Sequence, residues 1–541
     1  MEDYEEAMAC ERFLDQSKSP SHFRREVFAP AVATVASMLA SEAVRYIALG
    51  QQPTLAGRIV EYDPFELSLR SHALLEFPNC PVCSQKKKLP NKTPGLRQLM
   101  AHSAWCADLS SLESILVSPR FGIVKELDLI AREFSDPPQP YIVRSLLANS
   151  GFAMKDEHAR NGASGKGLTV DAARVCALGE AVERYSSLFY ETEEIKYARR
   201  PDLSGRSLDP KQLVLYRPDQ YAHVDYSPFS QESILGWVSG RSLTRGDRLW
   251  LPALAVYLGY RPRSPEEIIF GGTSNGLAAG NTLPEAIYSA ALEVIERDAV
   301  MIGWTNRTIA ARWEPATHPD LEFRRMLKAY ERRGIRIELF QMPTDLDVAV
   351  FLALGIAENE RDLPAAAVGI SAHPDPAKAA MKAFLELGQL RPGLRRRLRS
   401  TDIRDKMEAL MADPRLVRGI DDHSLLYAHP SALRKLRFLR EAPITRSDWP
   451  EIDGLRDFTW LVDHMASKGH ELIYSDLTTH DMDRLGLRTV RAIIPSFQPI
   501  DFGFYQMRLG GNRLYSLPFE VGLRAREGTP ETLNPDPHPF P

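Results

Sequence analysis

The 541-residue sequence predicts a mixed α/β protein of the α+β kind, and three observations carry that reading. An opening helix pattern, "AVATVASMLASEAVRYIALG", is followed by two strand-like runs, "AGRIVEYDPF" and "SLRSHALLEF". A long stretch from near Leu109 to the end mixes helical and strand patterns. Within that stretch one helical unit recurs.

Taken in order, residues 1–85 form a small first segment that closes on "CPVC". Residues 86–108, entered through "SQKKKLPNKTPG" (84–95), are basic and broken by Pro and Gly, and read as a linker. Residues 109–541 make the large domain, although length alone allows roughly three or four. Inside it "LRPGLRRRLRSTDIRDK" reads as a solvated helix face. A net charge of −4 argues against a general nucleic-acid binder, which is usually basic. No apolar run reads as long enough to span a bilayer. The start, "MEDYEEAMACERF", lacks a signal peptide's apolar core. Five cysteines in so long a chain are no disulfide framework. A soluble, reduced, cytoplasmic protein is expected.

The repeat is ungapped. "TVDAARVCALGEAVER" (169–184) aligns with "TLPEAIYSAALEVIER" (282–297), so that Thr169 meets Thr282, Glu180 meets Glu293, Glu183 meets Glu296 and Arg184 meets Arg297. Each follows a glycine-rich run, "NGASGKGL" or "GGTSNGLAAGN", read as a loop. A fainter third copy, "AAMKAFLELGQ" (379–389), places Glu386 and Gln389 at the same spacing.

Residues i and i+3 share one helix face, so Glu180 neighbours Glu183 and Glu293 neighbours Glu296. Like charges so close repel. Two readings stand. Each pair is a solvated face with the next arginine as partner, and Glu285 a capping-box residue behind Thr282. Alternatively, glycine loops opening onto helices hold phosphate, and Mg²⁺ bridges that phosphate to the carboxylates. Two copies of one pattern favour the second.

"SGKGLTVDAARVCALGEAVERYS", "SNGLAAGNTLPEAIYSAALEVIERDAV" and "VRAIIPSFQPIDFG" resemble the YcaO family over most of the chain from about Leu109. The resemblance implies a YcaO-type ATP-binding fold that uses Mg²⁺ without a P-loop, and no GxxxxGK[ST] occurs here. Carried over by position, Glu180, Glu183, Glu293 and Glu296 are the Mg²⁺ and phosphate shell. By the same resemblance Asn281, Glu285, Arg297 and Lys166 look like nucleotide contacts, and Arg120 in "SPRFGIV" is the candidate for a further phosphate contact. Where the family usually has serine, this chain has Cys176, a poorer hydrogen-bond donor.

"PDPHPFP" spaces Pro535, Pro537, Pro539 and Pro541 two apart, which stiffens the segment. It resembles the tail of azoline-forming members. The resemblance therefore implies an ATP-dependent cyclodehydratase, in which a Cys, Ser or Thr side chain of a precursor peptide attacks the preceding amide. The amide oxygen then leaves as phosphate. The Pro541 carboxylate is expected near the nucleotide as a ligand or base. Thioamide or amidine formation, or a non-catalytic scaffold, are the rival readings.

"PTLAGRIVEYDPFELSLRSHALLEFPNCPVC" resembles the end of a ThiF/MoeB-like domain. In that family a second CxxC pair completes a zinc site. Here Cys80 and Cys83 lack one, so either a partner completes the Zn²⁺ site or no zinc binds. The segment reads as a docking remnant. A separate leader-binding ThiF-like partner, a flavin-dependent azoline dehydrogenase and a homodimer within a complex are the expected associations.

Overall fold

The computed structural model describes residues 29–76, 78, 108–148, 162–189, 195–359 and 362–540. Three antiparallel sheets each carry one copy of the repeated unit. The first is β3 (Val124–Leu129), β4 (Tyr141–Leu147) and β5 (Gly162–Gly167), and α3 (Val170–Ser186) follows β5. The second has the order β6-β7-β14-β15-β9, with β8 on β7. Its strands are Lys196–Arg199, Ile234–Ser242, Arg248–Pro252 (β8), Leu277–Gly280 (β9), Ile473–Asp476 (β14) and Arg488–Ile493 (β15). The long helix α4 (Leu283–Asn306) follows β9. The third sheet joins β10 (Ala311–Trp313), β11 (Ile335–Gln341), β12 (Ala349–Ala357) and β13 (Ala366–His373). Here α5 (Leu321–Glu331) packs on β11, and α6 (Pro376–Arg397) follows β13.

The repeat is thus strand, cap, helix. The caps are Thr169, Thr282 and Asp375, each accepting a backbone N–H of the first helical turn. The glycine runs correct the sequence reading. "GASGKG" is the strand β5, paired along its length with β4, not a phosphate loop. Its glycines permit close helix approach: a Cβ on Gly165 would lie 2.1 Å from the Ala173 carbonyl oxygen and 2.2 Å from the Ala177 nitrogen.

The largest core wraps α4, whose residues from Ala286 onward are mostly buried against β12, β13 and β15. Glu133 and Asp136 partner Arg395, and Asp421 partners Arg397, so the basic run is an inter-element brace rather than a bare solvated face.

In the first segment, α1 (Ala29–Leu49) precedes the hairpin of β1 (Arg58–Asp63) and β2 (Ser68–Ala73). The hairpin rests on α2 (Leu109–Leu116), and His72 bonds Ser118 at 2.9 Å. α1 buries no residue, and it is long and apolar enough to cross a membrane by length and composition. That corrects the expectation that no such run exists. Dispersed Ala and Ser lower the apparent hydrophobicity, but only Glu42 and Arg45 among its residues are charged. Two further helices, α7 (Thr401–Ala412) and α8 (Ile420–Tyr427), pack on each other, and α8 reaches β13.

Candidate functional site

Helical spacing brings the glutamates of α3 and α4 to one place, and the third copy joins them. Glu180 accepts the Ser164 N–H of β5 at 3.1 Å, and Glu296 accepts the Ala372 N–H of β13 at 3.0 Å. From α6, Glu386 pairs with Lys166 at 3.0 Å. Gln389 of the same helix donates to the Ser164 carbonyl at 2.7 Å and its hydroxyl at 2.6 Å. All three sheets therefore contribute to one wall.

Arg184 lies 3.4 Å from Glu180 and 3.6 Å from Glu183. Arg297 stands 3.5 Å from Glu296 and 3.9 Å from Glu293, yet its buried Nε and Nη1 make no hydrogen bond. A buried donor without an acceptor is costly unless a ligand supplies one.

Burial and crowding set the protonation. Burial pushes the Glu183 carboxyl up to about 8, with Glu293 and Glu180 adding to the rise against the pull of Arg184. Burial likewise carries Glu296 to about 7, opposed by Arg297 and reinforced by Glu386 and Glu293. Glu293 is raised for the same first reason. Burial works against the Lys166 ammonium, but Glu386 holds it above its ordinary range.

Sequence reasoning missed Arg491. Burial lowers it to about 10 while Glu293 and Glu183 favour its charge. Its Nε donates to the Val256 carbonyl at 3.1 Å and its Nη2 to that of Thr273 at 2.8 Å. A lone arginine inside "TVRAII", otherwise a buried strand, was the available signal. It also borders a cleft lined by Phe270, Thr273, Asn275, Val294 and Ile493.

The remaining expected residues divide. Glu285 forms the capping arrangement: its N–H meets Thr282 Oγ1 at 3.2 Å and its Oε2 accepts the Asn281 N–H at 3.1 Å. Arg120 pairs with Glu61 of the hairpin at 2.6 Å and is largely exposed. Cys176 is an exposed free thiol. Cys80, Cys83 and Pro541 lie outside the described residues.

Residues 164–498 match the family model of the YcaO cyclodehydratases, described as ATP- and Mg²⁺-binding, and the chain belongs to that family. An uncharacterised protein of Methanothermobacter thermautotrophicus is 32% identical over 236 residues, 42% of this chain and 56% of that one. The chain thus spans about half the length of the curated relatives it matches. Among solved structures, a heterocyclase in complex with substrate and cofactor is similar at a TM-score of 0.72 and 25% identity, over 94% of this chain and 68% of that one. The heterocyclase TruD has the same fold at a TM-score of 0.63 and 23% identity, over 99% and 70%.

The residues fit both groups the family binds. Arg297 has unused buried donors for a phosphate oxygen. Among the described residues, no three His, Cys, Asp or Glu groups converge as an ion cage. Mg²⁺ takes one or two carboxylates plus phosphate oxygens, so it needs no such cage.

Proposed function

We propose that this protein is an ATP-dependent cyclodehydratase that converts Cys, Ser or Thr of a ribosomally made precursor peptide to thiazoline or oxazoline. The observation that carries the reading is the pair of matching walls, Glu180 and Glu183 about Arg184 and Glu293 and Glu296 about Arg297, with the buried donors of Arg297 left unsatisfied. When bound, Mg²⁺–ATP supplies the phosphoryl group that turns the amide oxygen into a leaving group, with its charge neutralised as it transfers.

The chain's own residues prepare that step. Glu183 and Glu296 would hold a cation in their ionised form, since metal ligands must be deprotonated. Arg297 and the ammonium of Lys166, kept charged by Glu386, orient phosphate oxygens. Arg491 is clamped by backbone carbonyls and fixes the charge between Glu183 and Glu293. The adjoining cleft, apolar with a few polar groups, is our assignment for the peptide.

Docking of the proline-rich segment, with Pro537–Phe540 buried, favours azoline formation over thioamide or amidine chemistry in this reading. We place residues 1–85 as a docking segment ahead of the YcaO domain at 109–541. α1, exposed along its length, is available to a leader-binding partner. The enzyme is taken to work in the cytoplasm within a complex that includes a second copy and, where azoles form, a flavin-dependent dehydrogenase. The test is ADP release with a precursor peptide and partner, read together with peptide mass. Loss of one water per ring with matching ADP supports the reading. ADP release without mass loss, or neither, overturns it.

A further inference from the structure

The segment Asn534–Phe540 crosses α4 and α8 as a strap. Trp304 Nε1 of α4 donates to the Asp536 carbonyl at 2.9 Å, and Tyr427 of α8 donates to that of Pro537 at 2.6 Å. Arg307 and Asn534 bond at 3.0 Å, and Lys435 pairs with Asp536. The centre of the strap is a stacked pair of buried imidazoles, His423 and His538, with centroids 4.0 Å apart and planes at 19°.

The partners fix both tautomers. His423 Nδ1 meets the His538 carbonyl at 2.7 Å, so that nitrogen carries the proton. Its Nε2 accepts the Gly503 N–H at 2.9 Å and therefore carries none. His538 Nε2 donates to the Asp501 carbonyl at 3.0 Å, while its buried Nδ1 has no partner. A second proton on His423 would point at an N–H. A second proton on His538 would lie buried with only the Phe540 backbone beside it, too little to offset its desolvation.

The carboxylates nearby are already engaged. Asp422, beside His423, is taken by Lys406 and the Arg418 N–H. The Asp501 carboxylate is taken by Arg508. Asp536 is taken by Lys435, and Arg297 on α4 opposes any charge on His538.

We propose that His423 and His538 are positioning residues that seat the strap on α4 and α8 only while both imidazoles are neutral, so that strap docking is lost in mild acid. The consequence for ring closure rests on the proposed cyclodehydratase reading; the docking does not. Burial holds His423 down to about 4 and His538 well below its ordinary value. Groups whose docked pKa is depressed support docking above their free value, ~6.5, and lose that support as pH falls towards the docked value. Each imidazole then weakens docking by up to about tenfold per pH unit.

Hydrogen exchange of the full chain, corrected for intrinsic rates, tests this at pH 7.5 and 5.5. In the wild type, protection of the strap is expected to fall at least about tenfold at pH 5.5 while peptides of α4 stay protected. His538→Gln keeps an N–H near the Nε2 position without titrating, and is expected to shrink the response to the share of His423. Equal strap protection at both pH values in the wild type would overturn the proposal. So would parallel loss of α4 protection, or a His538→Gln response identical to the wild type. If His538→Gln is unprotected at pH 7.5, the wild-type comparison alone decides. A protected strap at pH 7.5 without any azoline product would sink the cyclodehydratase reading and leave the lock intact.

Discussion

α3 and α4 carry one sequence pattern in two settings. α4 runs through the centre of the largest core, with most of its residues buried from Ala286 onward. α3 lies on a small sheet and leaves Val175 and Cys176 exposed. On α3 the arginine is divided between Glu180 and Glu183, whereas Arg297 on α4 keeps two buried donors unpaired. Yet the second glutamate of each pair, Glu183 and Glu296, is pushed up to about 8 and about 7 by burial. The pattern builds a shared wall, and the depth of each helix decides which arginine keeps unpaired donors.

The largest expected effect breaks the comparison outright. Glu180→Ala and Glu296→Ala should each lower ATP turnover by at least about 100-fold, the scale for removing a metal-site group, with unchanged circular dichroism. Full turnover in the α3 variant alone would mean that only α4 serves the nucleotide.

A smaller effect sharpens it. Arg297→Lys should raise the KM for ATP about tenfold more than Arg184→Lys, because a lysine cannot reproduce the planar fork left free on Arg297. Parallel steady-state kinetics would compare them, and equal losses would deny Arg297 its special place.

pH separates the pairs from ordinary surface carboxylates. Burial lifts Glu183 and Glu296 above the ordinary carboxylate range in the folded protein. They contribute stability that is fully present below the unfolded value and lost as pH rises through the folded one. The melting temperature of the ligand-free protein should therefore fall between about pH 5 and 8 relative to a Glu183→Gln/Glu296→Gln variant. A flat difference in differential scanning calorimetry would show that these carboxyls are not strained.

Cys176→Ser should have the smallest effect, at most about threefold on the KM for ATP, since the change swaps a weak donor for a better one on the exposed side of α3.

Much of the wall was legible in sequence, because two glutamates three apart on a helix must share a face whatever the fold. The strand β5 was not: Gly162, Gly165 and Gly167 favour loops locally, and pairing with β4 overrides that preference. Glu386 was visible as a third copy, but its bond to Lys166 joins residues 220 apart in sequence. Arg491 lay in an apolar strand with no periodic signal. The stiffness of "PDPHPFP" foretold cheap docking, while its anchors, Trp304, His423 and Tyr427, are scattered aromatics that only the tertiary fold unites.

The central claim is that the glutamates of both helices take up Mg²⁺ with a nucleotide. Titration calorimetry with Mg²⁺ and a non-hydrolysable ATP analogue at pH 7, in two buffers of different ionisation enthalpy, addresses it directly. Net proton release is expected on binding, as Glu183 and Glu296 surrender protons, with about 100-fold weaker binding in the Glu183→Gln/Glu296→Gln variant. Binding of equal strength in that variant, with no proton released by the wild type, would contradict it.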